Sequence, residues 1–111
     1  MTEKNGLLHS GRADSRFQHV SGLTVEADSS KLPGERIVSA SMGGTALDPA
    51  AKYRVSTNGL IASGRRGYEV MKEDTVILGE TDGELVSNIV TKHVETQGEI
   101  SPKAEGRLVI R

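Results

Sequence analysis

LPGERIVSASMGGTALDPAAKYRVSTNGLIASGRRGY, running from Leu32 to Tyr68, sets β-branched runs between clusters of turn formers. In ADSSKLPGER the Pro33-Gly34 pair favours a reversal, because proline presets φ at the first central position and glycine accepts positive φ at the second. GGTALDPAA supplies Gly43 and Gly44, and then Asp48 before Pro49, a further reversal. Both segments read as hairpin connections. Between them, Ile37, Ser39 and Ser41 alternate with Val38, Ala40 and Met42, a period of two that suits a sheet with one wet face.

Outward from this stretch, SRFQHV, GLTVEA, KYRVST, DTVILGE and GRLVIR have the character of ERIVSASM. They are short, rich in β-branched residues and bounded by Gly, Pro, Asp or Ser, and are expected as strands. TDGELVSNIVTKHVETQG breaks the pattern. Its Leu85, Val86, Ile89, Val90 and Val94 fall at helical spacing, Thr81 or Asp82 is placed to cap the start, and Gly98 to end it. This predicts one amphipathic helix of about four turns. With no internal repeat or linker, the expected fold is α+β: a mostly antiparallel sheet with at least one packed amphipathic helix.

The chain has 111 residues, enough for one small domain or part of one. A domain of that size buries about 60 to 70% of its unfolded surface. Fourteen Lys and Arg stand against 15 Asp and Glu, so no global field steers it to nucleic acid or an anionic membrane. Cysteine is absent, which excludes disulfides and thiol chemistry. No stretch approaches the roughly 20 apolar residues of a membrane span, and the N-terminus lacks a signal-peptide core. A membrane partner is therefore not expected, and the compartment stays open. Aromatic residues are only 3% of the chain, so the core rests on Val, Ile and Leu.

Chemistry-bearing patterns are sparse. His9, His19 and His93 form no HxH, HExxH or DxH set, so no metal centre is expected from this chain alone. No serine sits in a GxSxG elbow, and no catalytic residue can be nominated from spacing. The conspicuous segment is ASGRRGY, where Arg65 and Arg66 lie between Gly64 and Gly67. Flanking glycines let a backbone approach a ligand and arginines attract an anion, although neither phosphate-loop pattern is present. A surface turn with two solvated arginines is the plain alternative. Nucleic acid is an unsuitable partner, because two adjacent arginines without a wider basic face neutralise too few phosphates.

Taken together and in order, SRFQHVSGL, the Leu32 to Tyr68 stretch and ISPKAEGRLVI resemble the C-terminal domain of the 5'-nucleotidase family, which includes UDP-sugar hydrolases and 2',3'-cyclic nucleotide phosphodiesterases. The matching pieces are Phe17 with Val20-Ser21-Gly22, Pro33-Gly34 with Arg36-Ile37-Val38, Leu47-Asp48-Pro49, Tyr53 with Thr57-Asn58, Gly64 with Gly67-Tyr68, and Glu105-Gly106-Arg107. The resemblance runs over residues 15–111, leaving 1–14 as an N-terminal flank.

The resemblance implies that hydrolysis belongs to a separate N-terminal metallophosphoesterase domain holding two metal ions. No catalytic residue, metal or cofactor is then expected in this chain. It further implies a substrate pocket in which two aromatic rings sandwich a base, an acid in the glycine loop bonds the ribose, and arginines from an earlier part of the domain hold phosphate. Stacking of a base on an aromatic face is worth about 1 to 3 kcal/mol. Phe17 falls on the first aromatic position and Asn58 on the asparagine before the second, which is Leu60 here. Arg66 falls on the ribose-binding acid and Arg65 on the glycine before it, with Gly64 and Gly67 as the loop's flanks.

A guanidinium donates where a carboxylate accepts, so the ribose geometry is changed in kind. The expected ligand is accordingly a nucleotide or a sugar phosphate, with the arginines favouring the more anionic. The earlier half of the usual domain has no counterpart in the matched region. The chain is thus expected to be a fragment of a longer protein or a short remnant that hydrolyses nothing unaided. The alternative is a structural or interaction domain that keeps the fold without the pocket, in which Phe17 is core.

Overall fold

The computed structural model describes residues 18–111. The chain divides into two compact units, Met1–Val55 with Ala104–Arg111, and Ser56–Lys103. In the first unit, β1 (Thr24–Ala27) and β2 (Ile37–Met42) pair antiparallel across the Pro33-Gly34 turn, which the Glu35 N–H closes by donating to the Leu32 carbonyl at 3.0 Å. β2 then turns through Gly43 and Gly44 into β3 (Thr45–Ala46). Both glycines have positive φ, 57° and 82°, as a two-residue type I′ hairpin requires, because its twist matches that of the flanking strands. Both reversals stand where the sequence places them.

The last strand, β4 (Leu108–Ile110), lies on the other side of β1, giving the order β3-β2-β1-β4. It pairs parallel to β1, so the sheet is mixed and not the mostly antiparallel one expected. The cause is topological. Parallel neighbours cannot be joined by a tight hairpin and need a long crossover, and the chain from β3 to β4 carries both helices of the molecule's second unit.

Register sorts the side chains. Val25 stands opposite both Ala40 and Leu108, and Ala27 opposite Ile37 and Ile110, so these share the apolar face. Thr24, Glu26, Ser39, Ser41 and Val109 take the other face. A bulge makes Val38 the extra residue of β2 and moves Ile37 to the apolar side, which breaks the expected alternation at that point. Val25 and Ala27, on the doubly paired strand, are fully buried. On the polar face Glu26 forms an ion pair with Arg111.

Among the described residues, three expected strands are not formed. Gln18–Val20 carry no ladder, and the rest of SRFQHV lies outside the described residues. Lys52–Asn58 carries no ladder. Tyr53 is instead turned back on the Asp48-Pro49 reversal, where its hydroxyl accepts from the Asp48 N–H at 2.9 Å. DTVILGE has no strand partner among the described residues and leaves Val76, Ile77 and Leu78 exposed. An apolar run shows that a segment can pair, not what it pairs with.

In the second unit, α1 (Gly59–Ala62) packs against a 3-10 turn at Glu69–Glu73. The helix α2 spans Val86–Gln97 and ends at Gly98, whose N–H donates to the Val94 carbonyl at 2.8 Å. Its start differs from expectation: Asp82 and Gly83 bond back to the Gly79 carbonyl in a turn, and Leu85 becomes an N-cap without a side-chain bond. Glu84 pairs with Lys92 across the first turns. The stripe of Leu85, Val86, Ile89 and Val90 is formed as predicted and is exposed, with Val94 half-buried, and within the second unit α2 packs against no other element. Among the described residues, no helix is long and apolar enough to cross a membrane.

Two outcomes follow from the first unit. Val25→Ala lowers stability by about 2 kcal/mol, through lost burial plus a cavity, whereas Val109→Ala on the opposite face costs at most about 1 kcal/mol. Urea unfolding midpoints of the two variants check this.

Asp28, just after β1, accepts from the Ser30 hydroxyl at 2.6 Å and the Ser30 N–H at 2.9 Å. These two bonds, then the charges of Lys31 and Arg111, hold its carboxyl below the ordinary value of 3.8. A depressed carboxylate stabilises the fold above its unfolded pKa and loses that contribution as pH falls through the folded one. Unfolding midpoints measured from pH 5 downward fall in the parent protein, and Asp28→Asn flattens that decline.

Candidate ligand-binding loop

The segment Asn58 to Tyr68 is shaped by its caps. Asn58 sits in extended conformation, and its Oδ1 accepts from the Ile61 N–H at 3.0 Å, a side-chain N-cap that starts α1. The helix lasts one turn. Ser63 ends it, its N–H donating to the Gly59 carbonyl at 2.9 Å and its hydroxyl to the Leu60 carbonyl at 2.9 Å.

Gly64 follows with φ 75° and is buried. A Cβ there would lie 2.5 Å from Cγ of Lys72, 2.8 Å from its Cε and 3.0 Å from its Cδ, so the lysine stem fills the space above the glycine. Gly59 is covered in the same way by the Glu80 carboxylate, at 2.8 Å from Cδ to a Cβ built there.

Arg65 and Arg66 are exposed, and the turn closes with the Tyr68 N–H donating to the Arg65 carbonyl at 3.3 Å. Arg66 has φ 56°, the only positive φ of a non-glycine among the described residues. That conformation costs an L-residue with a Cβ about 1 kcal/mol or more. With Gly67 at φ 90°, three of the four loop residues from Gly64 to Gly67 have left-handed backbone. The result is a tight projection that holds two guanidinium groups in water next to a buried glycine.

Of the residues singled out in the sequence, Asn58, Leu60, Gly64, Arg65, Arg66 and Gly67 fall on this one continuous segment of the second unit. Asn58 has its side-chain oxygen engaged by the cap, and Leu60 is an exposed aliphatic on α1. Phe17 lies outside the described residues. Sequence reasoning missed Lys72 and Glu80, whose stems cover the two glycines, and nothing in their spacing could have revealed them. In the first unit a shallow groove of about 270 Å³ is lined by Gly22, Leu23, Thr24, Gly43, Gly44 and Arg107. Arg107 there is held by Glu105 at 3.2 Å. Among the described residues, no group of three or more His, Asp or Glu could hold a metal ion.

The family described as "5'-nucleotidase, C-terminal domain" matches residues 3–73, well over half of the chain and all of the arginine loop. The chain belongs to that family. It is 30% identical over 107 residues to a snake venom 5'-nucleotidase of Naja atra, covering 89% of this chain and 20% of the relative. It is 28% identical over 119 residues to the 5'-nucleotidase of Homo sapiens, covering 96% and 20%. With the trifunctional nucleotide phosphoesterase protein YfkN of Bacillus subtilis it shares 29% identity over 111 residues, 95% of this chain and 8% of the relative. The chain thus spans about a fifth of the 5'-nucleotidases it matches. The α+β fold of strands and helices described above agrees with membership of this domain family.

The cap makes one residue separable from the rest. Asn58→Ala removes the bond to Ile61 and costs about 1 kcal/mol of local stability. Hydrogen exchange of the Ile61 and Ala62 amides speeds up accordingly, while exchange in β1 is unchanged.

Proposed function

We propose that this chain is the substrate-recognition part of a 5'-nucleotidase-type phosphoester hydrolase. In this reading it holds a nucleotide or sugar phosphate and leaves the hydrolysis to an N-terminal metallophosphoesterase domain. The observation that carries the proposal is the loop itself: a span matched by the 5'-nucleotidase C-terminal domain family presents two exposed guanidinium groups between glycines. A guanidinium offers planar paired donors that suit phosphate oxygens, and charge-assisted bonds of that kind contribute about 1.5 to 3 kcal/mol each.

In this assignment Arg65 and Arg66 bond the anionic part of the ligand, and Gly64 and Gly67 let the backbone come close. Leu60 offers an aliphatic face where the resemblance calls for a ring, and Phe17 supplies the stacking aromatic. Asn58 acts through α1, by fixing where Leu60 and the loop begin. No cofactor is assigned to the chain. The two-metal centre implied by the resemblance belongs to that separate N-terminal domain.

A second reading, a structural or interaction domain that has lost the pocket, draws support from the same segment. The Asn58 oxygen is already used by the cap, and Leu60 has no π-face.

Titration of the ¹⁵N-labelled chain with AMP and with glucose 1-phosphate separates the two. Recognition shifts the amides of Phe17 and of Gly64 to Tyr68 at millimolar ligand, with no phosphate released from AMP when divalent metal is added. Silence of all those amides defeats recognition in favour of the second reading, and turnover that tracks the protein through purification defeats the assignment of hydrolysis elsewhere.

A further inference from the structure

We infer that Lys72 is a third cation of the Gly64–Gly67 loop and makes it selective for ligands with two adjacent phosphates over those with one. The inference rests on the reading above, that the loop holds an anionic ligand, and adds the residue that sets how much charge it prefers.

The geometry comes from Gly64. It is one of very few buried positions among the described residues, alongside Val25 and Ala27, and the Lys72 stem is what covers it. Cγ, Cδ and Cε of Lys72 all stand within 3.0 Å of where a Cβ on Gly64 would be. Three consecutive carbons of one side chain therefore run across the glycine, next to Arg65 in the chain. Lys72 as a whole remains exposed, so the stem is packed while the ammonium stays in water beside the loop.

The ammonium is also uncommitted. Glu69 and Glu73 flank it on the same 3-10 turn, yet Lys72 forms no ion pair among the described residues, and neither does Arg65. Three cationic residues thus belong to one tight turn and the stem that covers it, and two of them, Arg65 and Lys72, form no ion pair among the described residues.

Charge sets the ligand class. A phosphomonoester brings about 1.5 to 2 negative charges near neutral pH, which the two arginines suffice to meet. A third cation gains most from a second phosphate, whose oxygens reach past the first group. Because the stem is fixed against Gly64, less side-chain entropy is lost on binding than for a free surface lysine. The contact is solvent-exposed, so its effect is modest and weakens with salt.

The test compares AMP with ADP, which differ by one phosphate, by titrating the loop amides of the ¹⁵N-labelled chain at low and high salt. Lys72→Met, which keeps most of the stem and removes the charge, weakens ADP by about three- to five-fold and leaves AMP nearly unchanged. Lys72→Arg restores the preference. If ADP and AMP weaken equally, or neither changes, Lys72 is only a packing residue and the inference falls while loop recognition stands. If neither nucleotide moves the loop amides in the parent chain, the recognition reading fails and takes this one with it.

Discussion

Everything in the first unit depends on β1 being paired on both sides. Its antiparallel partner is next in the chain, but its parallel partner is almost the whole sequence away. The Ser29 hydroxyl donates to the Arg111 carbonyl across 82 residues, at 2.7 Å. The Val25 N–H reaches the Arg107 carbonyl and the Arg111 N–H the Ala27 carbonyl, both at 2.8 Å. Closing a loop of that length costs about 4 kcal/mol in chain entropy before any constant. The backbone bonds, the Glu26–Arg111 pair and the burial of Val25 and Ala27 together offset it. Without the parallel pairing, β1 is an edge strand and the apolar residues Leu108 and Ile110 lose their neighbours.

That dependence explains which parts of the fold were legible. Pro33-Gly34 and Gly43-Gly44 act through local backbone preference, so their turns could be read from a few residues. The α2 stripe is equally local, and the helix forms where the spacing puts it. The direction of β4 is decided by residues far away and leaves no mark on local periodicity. The same holds for KYRVST and DTVILGE. Their composition is that of strands, yet Tyr53 spends its hydroxyl on Asp48, and the run at Val76 to Leu78 meets no ladder. The start of α2 moved for a smaller reason, because Gly83 and Asp82 are drawn into a turn on Gly79 instead of a cap.

The candidate loop divides along the same line. That Gly64 to Gly67 would be a tight turn followed from glycine content, and that it carries two exposed guanidinium groups followed from arginine chemistry. The engagement of Asn58 as an N-cap has a familiar local signal, an asparagine one residue before a helix start, but α1 is a single turn and was hidden inside an expected strand-to-loop stretch. Lys72 is a different matter. Its part in the loop arises from a side chain folding over a glycine eight residues earlier, a contact set by the 3-10 turn and visible only in three dimensions.

The backbone of the loop also bears on what changed there. Arg66 occupies a left-handed conformation that glycine or asparagine would adopt more cheaply, so the turn's shape is imposed on it by the surrounding bonds and not chosen by its side chain. A turn held in that way can exchange one side chain for another without losing its form. If the resemblance is followed, an acid stood at this position in the family and a base stands here. The shape then persists while the sign of the charge is reversed, and a sugar hydroxyl pair loses its acceptor at the moment that phosphate oxygens gain donors. In the proposed reading, selectivity in this chain is therefore a matter of charge on a turn of fixed shape, which is why the extra ammonium held over Gly64 carries more consequence than any change in loop conformation.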